Sequence, residues 1–230
     1  MRSFLIAIVF LGVGATLPAR ADIIFTNLVA ADPPYAQNIA DSINGKNSEF
    51  TPYRELAMSF TVSGASAFHF DSIEAAWGFI EGTKGPLHVT LYSDNQGVPA
   101  TVLESINVDS SLIPPGQFGN RPLTTVLSTL HPTLAPGNRY WIGAAVDFQS
   151  DTAINWNYSL LGDQGGGLWR LGSPTDPWEP RGPKALQVNG TPLAPVVPEP
   201  GSFALSLWVL CVVFPSACLL SRQKGDRHVY

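Results

Sequence analysis

Cysteine is nearly absent from this chain of 230 residues. Its two cysteines, Cys211 and Cys218, both lie in an apolar segment near the C-terminus. The rest of the chain can therefore form no disulfide framework and offers no thiol nucleophile. Its stability must come from a buried core, and residues 22–190 are numerous enough for one domain with a substantial core.

Basic residues are scarce in the same region. Residues 22–197 contain 8 Lys and Arg against 16 Asp and Glu, a net charge of −8. Nucleic acids and anionic lipid surfaces are bound by basic surfaces. The sequence therefore predicts no nucleic-acid partner for this part of the chain.

Motifs of catalysis and metal binding are also missing. There is no Gly-x-Ser-x-Gly, and the glycines at 165–167 are not followed by the Lys-Ser or Lys-Thr of a phosphate-binding loop. The histidines of the body are not at zinc-ligand spacing. Residues 94–97 resemble the start of a calcium loop, but Glu104 comes one position too early, which favours a hairpin turn. We predict no metal, no cofactor and no enzymatic activity; a hydrolase whose site is assembled from distant residues is the alternative.

Helical periodicity is rare, whereas period-two alternation and turn residues are common. The chain has 21 Gly and 20 Pro, and their clusters separate short alternating runs. This pattern predicts an all-β fold, an antiparallel β-sandwich of the jelly-roll type over residues 22–190. The predicted strands are 55–62, 68–80, 87–92, 101–108, 123–130, 139–148, 153–158 and 185–188.

Four aromatic residues lie close together late in the body. Trp156, Tyr158, Trp169 and Trp178 fall within 23 residues, among glycines and prolines. Rings exposed on loops can stack on sugars, which makes these four a candidate ligand-binding set. The alternative is that the rings cover the core and that each indole N–H finds a partner nearby.

The N-terminus has the features of an export signal. Arg2 precedes an apolar stretch over residues 4–13, and Ala19-Arg20-Ala21 supplies the small-x-small pattern that a signal peptidase accepts. We predict a signal peptide over residues 1–21, cleaved after Ala21. An uncleaved N-terminal anchor is the alternative.

The C-terminus has the features of a membrane anchor. Residues 191–200 hold four prolines and are expected to form a stiff stalk. Residues 201–221 include an uncharged apolar run of about 18 residues, long enough for a single transmembrane helix. Residues 222–230 carry Arg222, Lys224 and Arg227, which predicts a basic tail on the cytoplasmic side.

The order of these tail elements resembles a known sorting signal. Pro198-Glu199-Pro200, the apolar span and Arg222 are similar to the PEP-CTERM signal of Gram-negative bacteria. The resemblance implies that an exosortase, a membrane-embedded cysteine protease, cuts near Pro-Glu-Pro and processes the protein for the cell surface. The body resembles the exported "choice-of-anchor" domains in two segments, 89–99 and 134–142. That second resemblance implies a fold and a location but no reaction.

These observations predict an exported surface protein of the cell envelope. We expect it to be tethered to the membrane or processed by an exosortase, with a structural or adhesive role in the extracellular polysaccharide or biofilm layer. The alternative is a carbohydrate-binding module that uses the aromatic residues at 156–178.

Overall fold

A computed structural model of the chain describes residues 21–31, 33–116, 122–161 and 165–193. Within these ranges the chain forms fourteen β-strands and one short 3₁₀ turn at Ser110–Leu112, with no α-helix, so the all-β prediction is confirmed. The strands are β1 Asp22–Thr26, β2 Ala40–Asn44, β3 Arg54–Thr61, β4 Phe68–Ala75, β5 Trp77–Glu81, β6 Pro86–Asn95, β7 Val98–Asp109, β8 Thr124–Leu127, β9 Thr133–Leu134, β10 Arg139–Val146, β11 Ala153–Asn157, β12 Gly167–Leu171, β13 Glu179–Arg181 and β14 Leu186–Pro192.

The strands form two antiparallel sheets. The five-stranded sheet has the order β1-β14-β4-β8, with β9 also paired to β4. The nine-stranded sheet has the order β5-β11-β2-β3-β10-β6-β7, and the β12–β13 hairpin is attached to β3. β10 and β12 lie on opposite edges of β3, since both pair with Leu56. β2 pairs with β3 at a single position, Asn44 with Arg54, and because β12 also pairs with Arg54 from its own edge, β2 lies on the edge that β10 uses. On the other edge, β12 pairs with five residues, starting from Arg54.

One hydrophobic core lies between the two sheets. Alternation along β3 and β10 places Leu56, Met58 and Ile142 on the core face of the nine-stranded sheet, and the five-stranded sheet contributes Ile73 and Val188. All five side chains are fully buried. The body contains no cysteine and therefore has no disulfide, so its stability comes from burial of this apolar surface.

The predicted strand 68–80 is in fact two strands that belong to different sheets. β4 pairs with β14 in the five-stranded sheet, whereas β5 pairs with β11 in the nine-stranded sheet. The chain crosses over at Ala76. Alternation did not reveal the crossing, because Ala75 and Trp77 both face the core that the two sheets share.

Five strands were not predicted: β1, β2, β9, β12 and β13. They are short, and three of them carry charged residues or glycine where a regular strand would have apolar ones. At the other boundary, β14 continues to Pro192, two residues into the predicted stalk. The predicted signal peptide up to residue 20, the transmembrane helix and the basic tail lie outside the described residues. Among the residues that are described, no helix is long and apolar enough to cross a membrane.

Candidate functional site

Trp156 is a core residue, and its assignment to the candidate ligand-binding set is wrong. Its side chain is 0% exposed. Its ring packs edge-on against Trp77, with the ring centres 5.5 Å apart, and its indole N–H donates to the carbonyl oxygen of Ala185 at 2.9 Å. Because Trp156 faces inward from β11, no part of it is available to a ligand.

Tyr158 and Trp169 lie near each other at the margin of the core, and both are covered by cations. The Lys184 ammonium is 3.5 Å from the ring centre of Tyr158. The guanidinium groups of Arg181 and Arg54 are 4.2 and 5.1 Å from the ring centre of Trp169. A ring face that contacts a cation of the same chain is withdrawn from stacking on a sugar.

Trp178 lies on the opposite face of the nine-stranded sheet. It packs against Ala57, Trp141 and Leu168, with the Arg170 guanidinium 4.2 Å from its ring centre. Neighbouring positions of β12 point to opposite faces, so Leu168 and Arg170 face Trp178 while Trp169 faces the core side. The four predicted aromatic residues therefore do not form one surface.

The side chain that joins Tyr158 to the neighbourhood of Trp169 is Asp41, on β2. Its carboxylate accepts two hydrogen bonds from Arg181, at 2.8 and 2.9 Å. It accepts a third from the ammonium of Lys184 and a fourth from the hydroxyl of Tyr158, both at 2.6 Å. We call Asp41, Tyr158, Arg181 and Lys184 the Asp41 cluster. A carboxylate directed inward on a short strand gave no sequence signal, and the cluster was not predicted.

Electrostatics fix the charge state of the Asp41 cluster. Burial raises the pKa of the Asp41 carboxyl, but the hydrogen bonds from Arg181 and the charge of Lys184 outweigh burial and hold that pKa well below its usual range. Burial lowers the pKa of Lys184 to about 8, against the opposing attraction of Asp41. Burial and the bond to Asp41 raise the pKa of the Tyr158 hydroxyl. The carboxylate is therefore a poor proton acceptor near neutral pH, and the cluster fixes positions of chain segments instead.

A second charged group, Glu55, is buried beneath the opposite face. Burial raises the pKa of its carboxyl, and the charge of Arg170 partly offsets that effect. The Glu55 carboxylate lies 3.5 Å from the Arg170 guanidinium and is only 7% exposed. Arg170 in turn lies over Trp178, so the carboxylate is enclosed rather than presented to a ligand.

The turn with the sequence of a calcium loop is a hairpin. Residues 94–97 connect β6 to β7, and the Asp94 carboxylate accepts hydrogen bonds from the Gly97 amide at 3.2 Å and the Trp141 indole at 2.7 Å. Among the described residues, no three His, Cys, Asp or Glu side chains are grouped to hold a metal ion.

An open cleft of about 1000 Å³ lies between the two sheets at the β1 edge. One wall is β1, an edge strand of the five-stranded sheet; the other is β3 beyond the end of β12, together with residues 165–167. Its polar side chains are the hydroxyls of Thr26, Ser59, Thr61 and Ser63 and the guanidinium groups of Arg139 and Arg181; its aromatic side chains are Phe25, Phe60 and Trp141.

Glycine is required along the wall that residues 165–167 form. Gly165 has a φ of +87°, and a Cβ at this position would collide with the carbonyl oxygen of Ser59. A Cβ at Gly167 would collide with the carbonyl oxygen of Gly182. These close approaches explain the glycine run, which sequence analysis could exclude as a phosphate-binding loop but could not assign.

Comparison of the chain with protein-family models, with curated proteins and with solved structures found no match. Its function must therefore be inferred from its own residues and their geometry.

Proposed function

We propose that this chain is an exported protein of the Gram-negative cell envelope, held at the membrane by its C-terminal segment or processed there by an exosortase. In this proposal the body has a structural or adhesive role in the extracellular polysaccharide or biofilm layer. The tail supports the location through three consecutive elements: Pro198-Glu199-Pro200, an apolar run and a basic end that begins at Arg222. Ala19 and Ala21 support export.

The jelly-roll type of sandwich belongs to the same proposal. In a jelly roll, the first and last strands are neighbours, and eight strands divide between two four-stranded sheets. Here β1 neighbours β14, and the orders β1-β14-β4-β8 and β3-β10-β6-β7 correspond to those two sheets. The remaining strands would then be additions at the edges.

Carbohydrate recognition is the second candidate function, and it could be the means of adhesion. The cleft favours it, since it combines the exposed hydroxyls of Thr61 and Ser63, the half-buried ring of Phe25 and two guanidinium groups, and a ligand pocket needs a few placed polar groups beside apolar surface. The residues proposed for it are those of the cleft and no longer the aromatic set, because Trp156 is buried and the rings of Tyr158, Trp169 and Trp178 lie against cations.

The location is tested by following the C-terminus in a host with an active exosortase. Mass spectrometry of the surface protein should show loss of the segment after Pro198-Glu199-Pro200, and Glu199→Ala should leave this segment in place. Glu179→Ala, an exposed glutamate of the body, is the matched control and should be processed like the wild type. Deletion of residues 203–220 should release the protein to the periplasm or medium. An intact tail ending in Tyr230, or membrane retention after the deletion, would contradict the proposal.

A further inference from the structure

The charge of the cleft is opposite to the charge of the body. Residues 22–197 carry twice as many acidic as basic residues, yet the described cleft wall contains two arginines and no carboxylate. A cation at a concave site raises the local concentration of anions and lowers that of cations. The cleft therefore favours a ligand with negative charge.

Arg139 is available to such a ligand. It begins β10, its side chain is exposed, and it makes no hydrogen bond or ion pair with the residues that the structure describes. Asp94, on the neighbouring strand β6, is bound by Trp141 and Gly97 instead. The Arg139 guanidinium thus retains its five N–H donors, arranged as a fork that fits a carboxylate.

Arg181 is held in place at the same cleft. Its Nε and one terminal nitrogen bind Asp41, its plane lies 4.2 Å from the ring centre of Trp169, and its side chain is 38% exposed. A guanidinium fixed by its own chain loses little conformational entropy when it contacts a ligand.

The uncharged part of the wall fits a sugar chain. Thr61 and Ser63 are exposed hydroxyls, and Phe25 is a half-buried ring beside them. The carboxylates of an acidic peptide would pair with the two arginines equally well. A sugar chain, however, also carries hydroxyls that can form hydrogen bonds with Thr61 and Ser63, and an acidic peptide has few such groups.

We infer that the cleft binds an acidic polysaccharide whose uronic-acid carboxylates pair with Arg139, with Arg181 as the second cationic contact. This inference rests on the proposed carbohydrate recognition and names its ligand class. No bond is made or broken; the interaction is a charge-assisted hydrogen bond at each carboxylate.

The test measures the affinity of the full-length chain, in mild detergent, for alginate as the uronic-acid polymer, dextran as a neutral polymer and polyglutamate as an acidic peptide. We expect binding to alginate that weakens with added salt, and negligible binding to dextran. Arg139→Met should weaken alginate binding about tenfold, the value of one lost charge-assisted contact, and Arg139→Lys should give an intermediate affinity.

Lys84→Met is the matched control. It removes the same charge from an exposed position that does not line the cleft, and it should bind alginate like the wild type. Unfolding midpoints close to that of the wild type establish that both variants are folded. Equal losses for Arg139→Met and Lys84→Met would overturn the inference, and so would equal affinity for alginate and polyglutamate.

The outcomes separate this inference from the proposed function. Correct processing of the tail together with no binding to any polysaccharide refutes the cleft assignment and leaves the surface location standing. Strong binding to dextran, unaffected by Arg139→Met, supports carbohydrate recognition and refutes its acidic specificity.

Discussion

Replacing Asp41 by asparagine tests whether the Asp41 cluster holds β2 to the chain segment around Lys184. The carboxylate accepts four hydrogen bonds from Arg181, Lys184 and Tyr158. Asparagine keeps one acceptor oxygen, adds two N–H donors and removes the negative charge. Lys184 is 0% exposed and would lose its negatively charged partner, keeping the carbonyl oxygen of Gly182, at 3.0 Å, and the ring of Tyr158. Breaking a buried ion pair in this way costs about 3–5 kcal/mol of folding free energy.

Urea unfolding of the full-length chain, followed by tryptophan fluorescence, measures this loss. Lys184→Met is the informative comparison, since it leaves Asp41 bound by Arg181 and Tyr158 and puts an apolar chain in the buried space; we expect it to cost about 1–2 kcal/mol. Because the pKa of Asp41 is depressed in the folded state, the wild-type advantage over Asp41→Asn is fully present near pH 7 and declines as the pH falls below about 4. A loss below about 1 kcal/mol for Asp41→Asn, or one no larger than that for Lys184→Met, would refute the reasoning.

Two further predictions concern residues that join the sheets. Glu104 on β7 accepts hydrogen bonds from Ser128, Thr129 and Leu130, which outweigh its burial and lower its pKa, so Glu104→Gln should cost about 1–3 kcal/mol near pH 7. That difference should shrink as the pH falls below about 4, because the wild-type carboxylate then takes up a proton; a difference independent of pH between about 7 and 3 would contradict this account. Trp156→Ala should destabilise the fold by about 3–5 kcal/mol in the same urea assay, and the half-exposed Trp178→Ala by clearly less, whereas equal losses would argue against a core role for Trp156.

The strands that could be predicted from the sequence are those with one apolar and one polar face. β10 alternates between core positions such as Ile142 and positions on the other face such as Trp141, and it matches its predicted range closely. β6 and β7 are joined by a turn with glycine at a positive φ, the local signal on which hairpin prediction depends. In these strands local pattern and tertiary packing agree.

The strands that could not be predicted are those in which tertiary contacts override the local pattern. β2 places Asp41 on the core face, and only Arg181 and Lys184, some 140 residues later in the chain, make that burial acceptable. β13 has proline at its centre and all three of its residues exposed, which argues against a strand in any sequence-based rule. Distant partners of this kind leave no trace in a short sequence window.

The aromatic set shows the same limit for function. The glycines and prolines between residues 156 and 178 favoured exposed loops, whereas two of the four rings, Trp156 and Trp169, lie on strands of one sheet. The four rings are close in sequence, but the alternation of side chains along each strand decides on which face of the sheet a ring lies. The arginines of the cleft, in contrast, stand 42 positions apart and carry no shared motif.

Residues of the β12–β13 hairpin both stabilise the fold and contribute to the cleft. The hairpin pairs with the edge of β3 opposite to the one that β2 and β10 use, and there its residues divide among three environments. Trp169 packs on the core, Arg170 lies between Glu55 and Trp178 on the opposite face, and Arg181 reaches both Asp41 and the cleft. Since Asp41 fixes the Arg181 guanidinium, the interaction that offsets the burial of Lys184 also determines the position of one cation of the cleft. A short hairpin with weak intrinsic strand propensity can carry these roles because its position is set by side chains on β2 and β3, and not by its own sequence pattern.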